Sequence, residues 1–236
     1  MAQETIKQIQ QYLEMIKTSG VDFIPKVSAI SESEASSVIE NQPLTKNTKG
    51  ILLELRDTVV QCKKCTELAT TRRSVVFGSG NARATLVFVG EAPGYDEDIQ
   101  GLPFVGKAGQ LLTKIIESIG LNRQNVFICN VLKCRPPGNR NPLPDEIANC
   151  EPYLFKQLEI IHPEIICALG TFAAQTMLKT NTSISALRGK FYEFRGSKLI
   201  CTFHPAYLLR NPEEKRKVWE DMKMIRTELN QAHSEL

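Results

Sequence analysis

Four short, continuously apolar runs alternate with amphipathic segments, and this alternation restricts the fold more than any other feature of the chain. The runs are Ala84–Gly90 (ATLVFVG), Asn125–Val131 (NVFICNV), Glu164–Gly170 (EIICALG) and Lys198–Phe203 (KLICTF). Segments with helical spacing of apolar residues follow or separate them: Ala108–Ile119, Asp145–Ile161, Thr171–Leu178 and Glu213–Leu229. Strands apolar on both faces, interleaved with amphipathic helices, predict an α/β fold: three α/β/α layers around a central parallel sheet. Ligands of such sheets gather beyond the carboxyl ends of the strands. The polar, chemistry-bearing residues do follow the runs: Gly90-Glu91-Ala92-Pro93-Gly94 after the first, Asn130 at the end of the second, His204-Pro205 after the last. Of the three histidines, His162 precedes its strand and His233 lies in the C-terminal tail, which leaves His204 at a site position.

The N-terminal fifth reads differently. Ile6, Ile9, Leu13 and Ile16 share one helical face, and Val27 to Gly50 is rich in Ser, Glu and Asn, as a linker is. The expected organisation is an amphipathic helix with a flexible linker over 1–47 and a domain over 48–236 that carries the chemistry. With 42% hydrophobic and 23% charged residues, the 236-residue chain has the composition of a soluble globular protein. No apolar run approaches the ~18 residues that would span a bilayer, and the N-terminus lacks the pattern of a secretory signal. The expectation is a cytoplasmic monomer with no membrane partner. A net charge of +3 is too small to demonstrate nucleic-acid binding but permits a local basic face.

Seven cysteines in a cytoplasmic chain do not read as a disulfide framework. Cys129, Cys167 and Cys201 are embedded in apolar strands and read as core thiols. The others sit in more polar surroundings: Cys62-Lys-Lys-Cys65 in an expected helix, Cys134 after a strand and before Arg135-Pro136-Pro137, and Cys150 within a later helix. Four thiolates suit zinc or an iron–sulphur cluster alike. A single CxxC knuckle with two distant partners tilts the spacing toward iron–sulphur without deciding it.

Three motifs then become specific. The first runs from Gly90-Glu91-Ala92-Pro93-Gly94 through Glu97-Asp98 to Gly101-Leu102-Pro103-Phe104-Val105-Gly106. The second is Asn130-Val131-Leu132-Lys133-Cys134-Arg135-Pro136-Pro137, and the third His204-Pro205-Ala206-Tyr207-Leu208-Leu209-Arg210. Together, and in this order, they resemble the motifs of the family 4 uracil-DNA glycosylases, over about Leu53 to Ile225. The resemblance implies an α/β/α fold, a 4Fe–4S cluster on Cys62, Cys65, Cys134 and Cys150, and base excision repair of uracil-containing single- and double-stranded DNA.

These residue types suit that chemistry. A stacked base must be extruded into a pocket before its glycosidic bond can be cut, and Phe104 is the expected stacking platform. One Asn amide donates to uracil O4 and accepts from N3–H, which assigns base recognition to Asn130. Bond cleavage moves negative charge onto the uracil, so donors aimed at O2 carry the largest catalytic effect. His204 and the backbone N–H groups of Gly90, Glu91 and Ala92 are the expected donors. The related family 1 enzymes place a water-directing Asp where this chain has Ala92. Glu91 is the leading substitute, with Glu97 and Asp98 behind it; a water attacking an already cationic sugar needs little base assistance. Arg135, Arg140, Arg188, Arg210 and Lys215-Arg216-Lys217 are candidate phosphate contacts, and Tyr207 or Leu208 a candidate wedge for the gap left by the base. The competing readings are a related glycosylase for other deaminated bases and a non-catalytic iron–sulphur module that binds DNA. Phe104, Asn130 and His204 occurring together favour catalysis over mere binding.

Overall fold

The computed structural model describes residues 47–234. The expected helix around Ile6–Ile16 and the linker up to Lys46 lie outside the described residues. The Ser-, Glu- and Asn-rich stretch read as far as Gly50 overlaps the first helix by three residues. Asn47 accepts from the Gly50 N–H through its side-chain oxygen at 3.0 Å and thereby caps α1, Thr48–Val60.

A short α2 (Thr66–Thr71) follows, then the first two strands, β1 (Ser79–Gly80) and β2 (Leu86–Gly90). Beyond these come α3 (Tyr95–Gln100), α4 (Lys107–Ser118), β3 (Phe127–Asn130), α5 (Pro144–Ile161), β4 (Ile165–Leu169), α6 (Thr171–Leu178) and α7 (Ile184–Leu187). The chain closes with β5 (Phe191–Phe194), β6 (Ser197–Thr202), α8 (Pro205–Arg210) and α9 (Lys215–Ser234).

The six-stranded sheet has the order β1-β3-β2-β4-β6-β5. Its inner strands β3, β2, β4 and β6 are parallel, as expected from their apolar runs. Its edges are not. Both β1 and β5 pair antiparallel, so the sheet is mixed rather than purely parallel. The hairpin of β5 and β6 turns at Arg195-Gly196, both at positive φ, and needs no crossover helix. Neither edge strand is a continuous apolar run, which is why the hydropathy pattern does not expose them.

Strand side chains alternate between two apolar layers. Val87, Val89, Cys129, Ile166 and Ala168 pack with Leu52 and Val59 of α1, Leu154 and Leu158 of α5, and Ala173 and Met177 of α6. Leu86, Phe88, Ile128, Cys167 and Ile200 pack on the other face with Leu112 and Ile116 of α4 and Val218, Met222 and Ile225 of α9. Helices thus cover both faces. The three strand cysteines are fully buried, as their surroundings predict.

The sheet order places a switch of direction at β2. The chain steps from β2 to β3 on one side and from β3 to β4 on the other, and sheets of this kind bind their ligands beyond the carboxyl ends of the strands at such a switch.

Candidate active site and cysteine group

Gly90 ends β2 and Asn130 ends β3, and the two are register partners. The absence of a side chain at Gly90 is required: a Cβ there would lie 2.3 Å from Asn130 Oδ1 and 2.5 Å from Phe104 Cζ. Asn130 and Phe104 therefore close over the same glycine. Asn130 is only 1% exposed, and its Oδ1 has no hydrogen-bond partner among the described residues. A buried acceptor left unpaired is costly, and a bound donor would satisfy it.

Phe104 holds a left-handed backbone conformation, φ 53°, which is strained for an aromatic residue. Its loop is fastened from several sides. Arg123 donates to the carbonyls of Pro103 (2.7 Å) and Phe104 (3.1 Å). Glu97 accepts from the N–H groups of Gly94, Val105 and Gly106 and so ties the turn after β2 to the Phe104 loop. Gly109 lets the Phe104 carbonyl approach to where a Cβ would be 1.9 Å away. The neighbouring Asp98, 2% exposed, accepts from the amides of Arg73 and Ser74. Both acidic residues therefore have structural partners. Glu91 differs, with a carboxyl that burial pushes above its ordinary range.

His204 lies across from Phe104, with ring centroids 5.6 Å apart and planes inclined by 35°. It is the N-cap of α8: its Nδ1 accepts from the Ala206 N–H at 3.1 Å. Burial lowers its pKa from 6.5 to about 4, with Arg210 acting in the same direction and Glu97 opposing. The imidazole is accordingly neutral with its proton on Nε2, a donor without charge. Gly170, at φ 87° after β4, admits the imidazole stem, since a Cβ there would be 2.9 Å from His204 Cβ.

Cys62, Cys65, Cys134 and Cys150 line one small cavity with Leu68, Arg72, Leu132 and Asn149. The CxxC pair is not in a helix as expected; it spans the α1–α2 connection, with Cys65 as the N-cap of α2. Three of the sulphurs have a donor: Arg72 Nη1 donates to Cys134 (2.9 Å), the Lys133 N–H to Cys150 (3.3 Å) and Asn149 Nδ2 to Cys65 (3.7 Å). Burial pushes the Cys150 thiol up to about 11 and raises Cys65 and Cys134 as well, so ionising the group calls for positive charge at its centre. No trio of His, Cys, Asp or Glu among the described residues is arranged to hold a single metal ion. Four cysteines lining one cavity, three of them with a hydrogen-bond donor, suit a larger, thiolate-ligated group.

Residues 77–223 match the family model of the uracil DNA glycosylase superfamily. A type-4 uracil-DNA glycosylase of Archaeoglobus fulgidus is 47% identical, covering 71% of this chain and 87% of the relative. Those of Saccharolobus solfataricus and Thermotoga maritima are 45% and 47% identical, covering 85% and 89% of their own lengths. The chain belongs to the type-4 uracil-DNA glycosylases. That family is associated with iron–sulphur.

Around this glycosylase site the structure redistributes the residues expected to hold DNA. Arg210 is exposed at the end of α8, close enough for its charge to act on His204. Tyr207 is half-buried, its ring 5.1 Å from that of Phe203. Leu208 is the clearest correction. It is fully buried in the layer with Leu112 and Val218, because α8 turns that face onto the core. Its neighbour Leu209 is 44% exposed. Arg188 is also internal, paired with the buried Asp221 at 2.6 Å, and Asp221 in turn accepts from Thr202 at 2.5 Å. Arg140 pairs with Glu146 and Glu67, both at 2.6 Å, and braces α2 against the start of α5. Arg135 lies over the Tyr95 ring. Lys217 pairs with Glu214, while Lys215 and Arg216 are exposed.

Arg72 and Arg123 lie outside the three motifs, and Lys133 lies within the second without a sign of its role, since their partners are backbone carbonyls, a sulphur or a distant amide. Among the described residues, no helix is long and apolar enough to cross a membrane.

Proposed function

We propose that uracil extruded from DNA stacks on Phe104, is recognised by Asn130, and is activated for departure by His204. Removal of uracil by hydrolysis of its N-glycosyl bond is the activity of this enzyme, and DNA is its partner. The observation that carries the assignment of residues is the buried, unpaired Oδ1 of Asn130. Uracil N3–H meets that acceptor, and the Asn amine faces O4. Cytosine presents an acceptor at N3 and an amine at C4, so donors and acceptors would oppose their own kind.

As the C1′–N1 bond lengthens, negative charge gathers on O2. The Nε2–H of a neutral His204 donates to it, and the bond strengthens as the charge grows. The backbone N–H groups of the Gly90–Ala92 turn are the further donors; without a side chain at Gly90 the base can come close to the main chain. Glu97 and Asp98 are committed to loop amides, which leaves Glu91 as the carboxylate for the attacking water or the cationic sugar. Arg210, Lys215 and Arg216 contact phosphates. Single- and double-stranded DNA are both substrates of a monomeric enzyme, and the segment before residue 48 is an appendage without a part in the chemistry.

Cys62, Cys65, Cys134 and Cys150 would hold a 4Fe–4S cluster, and the donors from Arg72, Lys133 and Asn149 would balance its charge. When bound, the cluster serves as a cross-link between the α1–α2 connection, the segment after β3, and α5. The test is direct. Purified protein is incubated with single- and double-stranded uracil oligonucleotides and treated with alkali, which cleaves at abasic sites. Intact oligonucleotides in both arms refute the reading; cutting of cytosine controls at a similar rate refutes the role of Asn130.

A further inference from the structure

Lys133 is a lysine with 1% exposure in the segment that joins Asn130 to Cys134. Its Nζ donates to the Asn130 carbonyl at 2.7 Å and to Gln157 Oε1 at 2.5 Å, and Gln157 Nε2 donates on to the Phe77 carbonyl at 2.8 Å. Its own N–H donates to Cys150 Sγ at 3.3 Å. One residue is therefore bonded both to the residue placed in base recognition and to the wall of the cysteine group. The preceding residues are anchored too: the N–H groups of Val131 and Leu132 donate to the carbonyls of Gly90 and Glu91, each at 2.9 Å.

Burying a lysine amine costs free energy that its hydrogen bonds only partly return, and an apolar side chain of similar size packs more cheaply. If Lys133 served only to fill the core, Met would do so better. What Met lacks is the hydrogen bond that pins the Asn130 carbonyl. That bond acts on the backbone of the residue whose amide must meet N3–H and O4 in one orientation, where small displacements matter most.

We infer that Lys133 is a positioning residue for uracil recognition, holding Asn130 in register with the cysteine group through its hydrogen bond to the Asn130 carbonyl. The inference rests on the reading of Asn130 as the base-recognising side chain. It makes recognition dependent on a contact outside the pocket.

The test uses the full-length, iron-loaded protein and the variants Lys133→Met, Asn130→Ala, their combination, and Lys133→Met with Gln157→Leu. The last replaces both buried partners by apolar ones, which disturbs folding least. Iron content, single-turnover excision, and affinity for DNA carrying 2′-fluoro-deoxyuridine relative to thymine are measured for each. The expected result is retained iron in at least one Lys133 variant, excision slowed by about 10–100-fold, and a similar loss of preference for the uracil analogue. In the Asn130→Ala background, Lys133→Met should add less than about twofold, because contacts that act through one another are not additive. The full factor in that background would show a structural role independent of Asn130. Loss of iron in both Lys133 variants would assign Lys133 to the cysteine group, and wild-type excision in either variant would overturn the positioning role. Normal excision by Asn130→Ala would instead sink the recognition reading on which the inference stands.

Discussion

The amide of Ala206 donates to Nδ1 of His204 over 3.1 Å, so the ring nitrogen left to carry a proton is Nε2. The bond that starts α8 thus also fixes the tautomer of the side chain facing Phe104.

His204→Ala should slow single-turnover excision on the order of 10²–10³-fold, the usual cost of one donor to a developing anion. DNA affinity should change little, because the contact matters in the transition state. Excision at saturating enzyme, with binding measured separately, checks this. A loss explained by weaker binding would make His204 a structural residue. The pH dependence has a defined sign. With a pKa near 4 in the folded protein against an ordinary 6.5, this histidine should give no inflection in rate near 6.5. Between those values the unfolded chain takes up the proton and the folded one does not, so the contribution to stability is complete above 6.5 and falls as pH drops toward 4.

Asn130→Asp should lower the ratio of uracil to cytosine excision by about 10–100-fold, the cost of leaving a buried polar group wrongly paired. A carboxylate accepts at both oxygens and repels uracil O4. Competition between uracil and cytosine oligonucleotides reads the ratio; unchanged selectivity at normal rate would remove Asn130 from the pocket.

Gly90→Ala should reduce excision by about 10²-fold while the protein stays folded. The new methyl would stand 2.3 Å from Asn130 Oδ1 and 2.5 Å from Phe104 Cζ, so the recognising amide and the stacking ring must both move. Circular dichroism together with excision separates this from unfolding. Near-normal activity would mean that neither side chain needs its present position.

The purified protein should be brown and carry about four irons per chain. Cys134→Ser should lose iron, whereas Cys167→Ala, which removes a core thiol from the other apolar layer, should retain it and cost about 1 kcal/mol of stability. A colourless protein with one zinc would contradict the cluster.

The inner sheet was legible because β2, β3, β4 and β6 are buried on both faces and read as apolar runs. The edges were not, because β5 is only half-buried, with Glu193 exposed, and β1 has only two residues. At the site, Gly90, Asn130 and His204 were findable by position alone, since each ends or follows a strand. Their supports were hidden: Arg123, Lys133 and Arg72 act through partners 3 to 62 positions away, several of them backbone atoms that leave no mark in a side-chain pattern. The same limit explains the CxxC pair, whose helical spacing suggested a helix although the chain there turns between two. It also explains the third motif, where an apolar Leu-Leu pair gave no sign of which leucine faces the core.

That pair yields the last prediction. Leu208 and Leu209 differ by about 100° around α8, enough to bury one completely and leave the other 44% exposed. A side chain that enters the base stack must be free to reach it, and Leu208 is packed among Leu112, Val218 and Met222 instead. Leu208→Ala should therefore act on stability, by about 2–5 kcal/mol, and lower activity on both DNA forms only as folded protein is lost. Leu209→Ala should leave the melting temperature nearly unchanged and slow excision from duplex DNA more than from single strands. Only the duplex leaves a stacked gap to be filled when the base departs, and holding that gap open offsets part of the few kcal/mol that unstacking costs. Excision by both variants on matched single- and double-stranded substrates, with thermal melts alongside, decides between them. Equal slowing of Leu209→Ala on the two forms would show that it touches DNA without wedging into it. A duplex-specific defect in a stably folded Leu208→Ala would mean that α8 rearranges on DNA and that the buried leucine is the wedge.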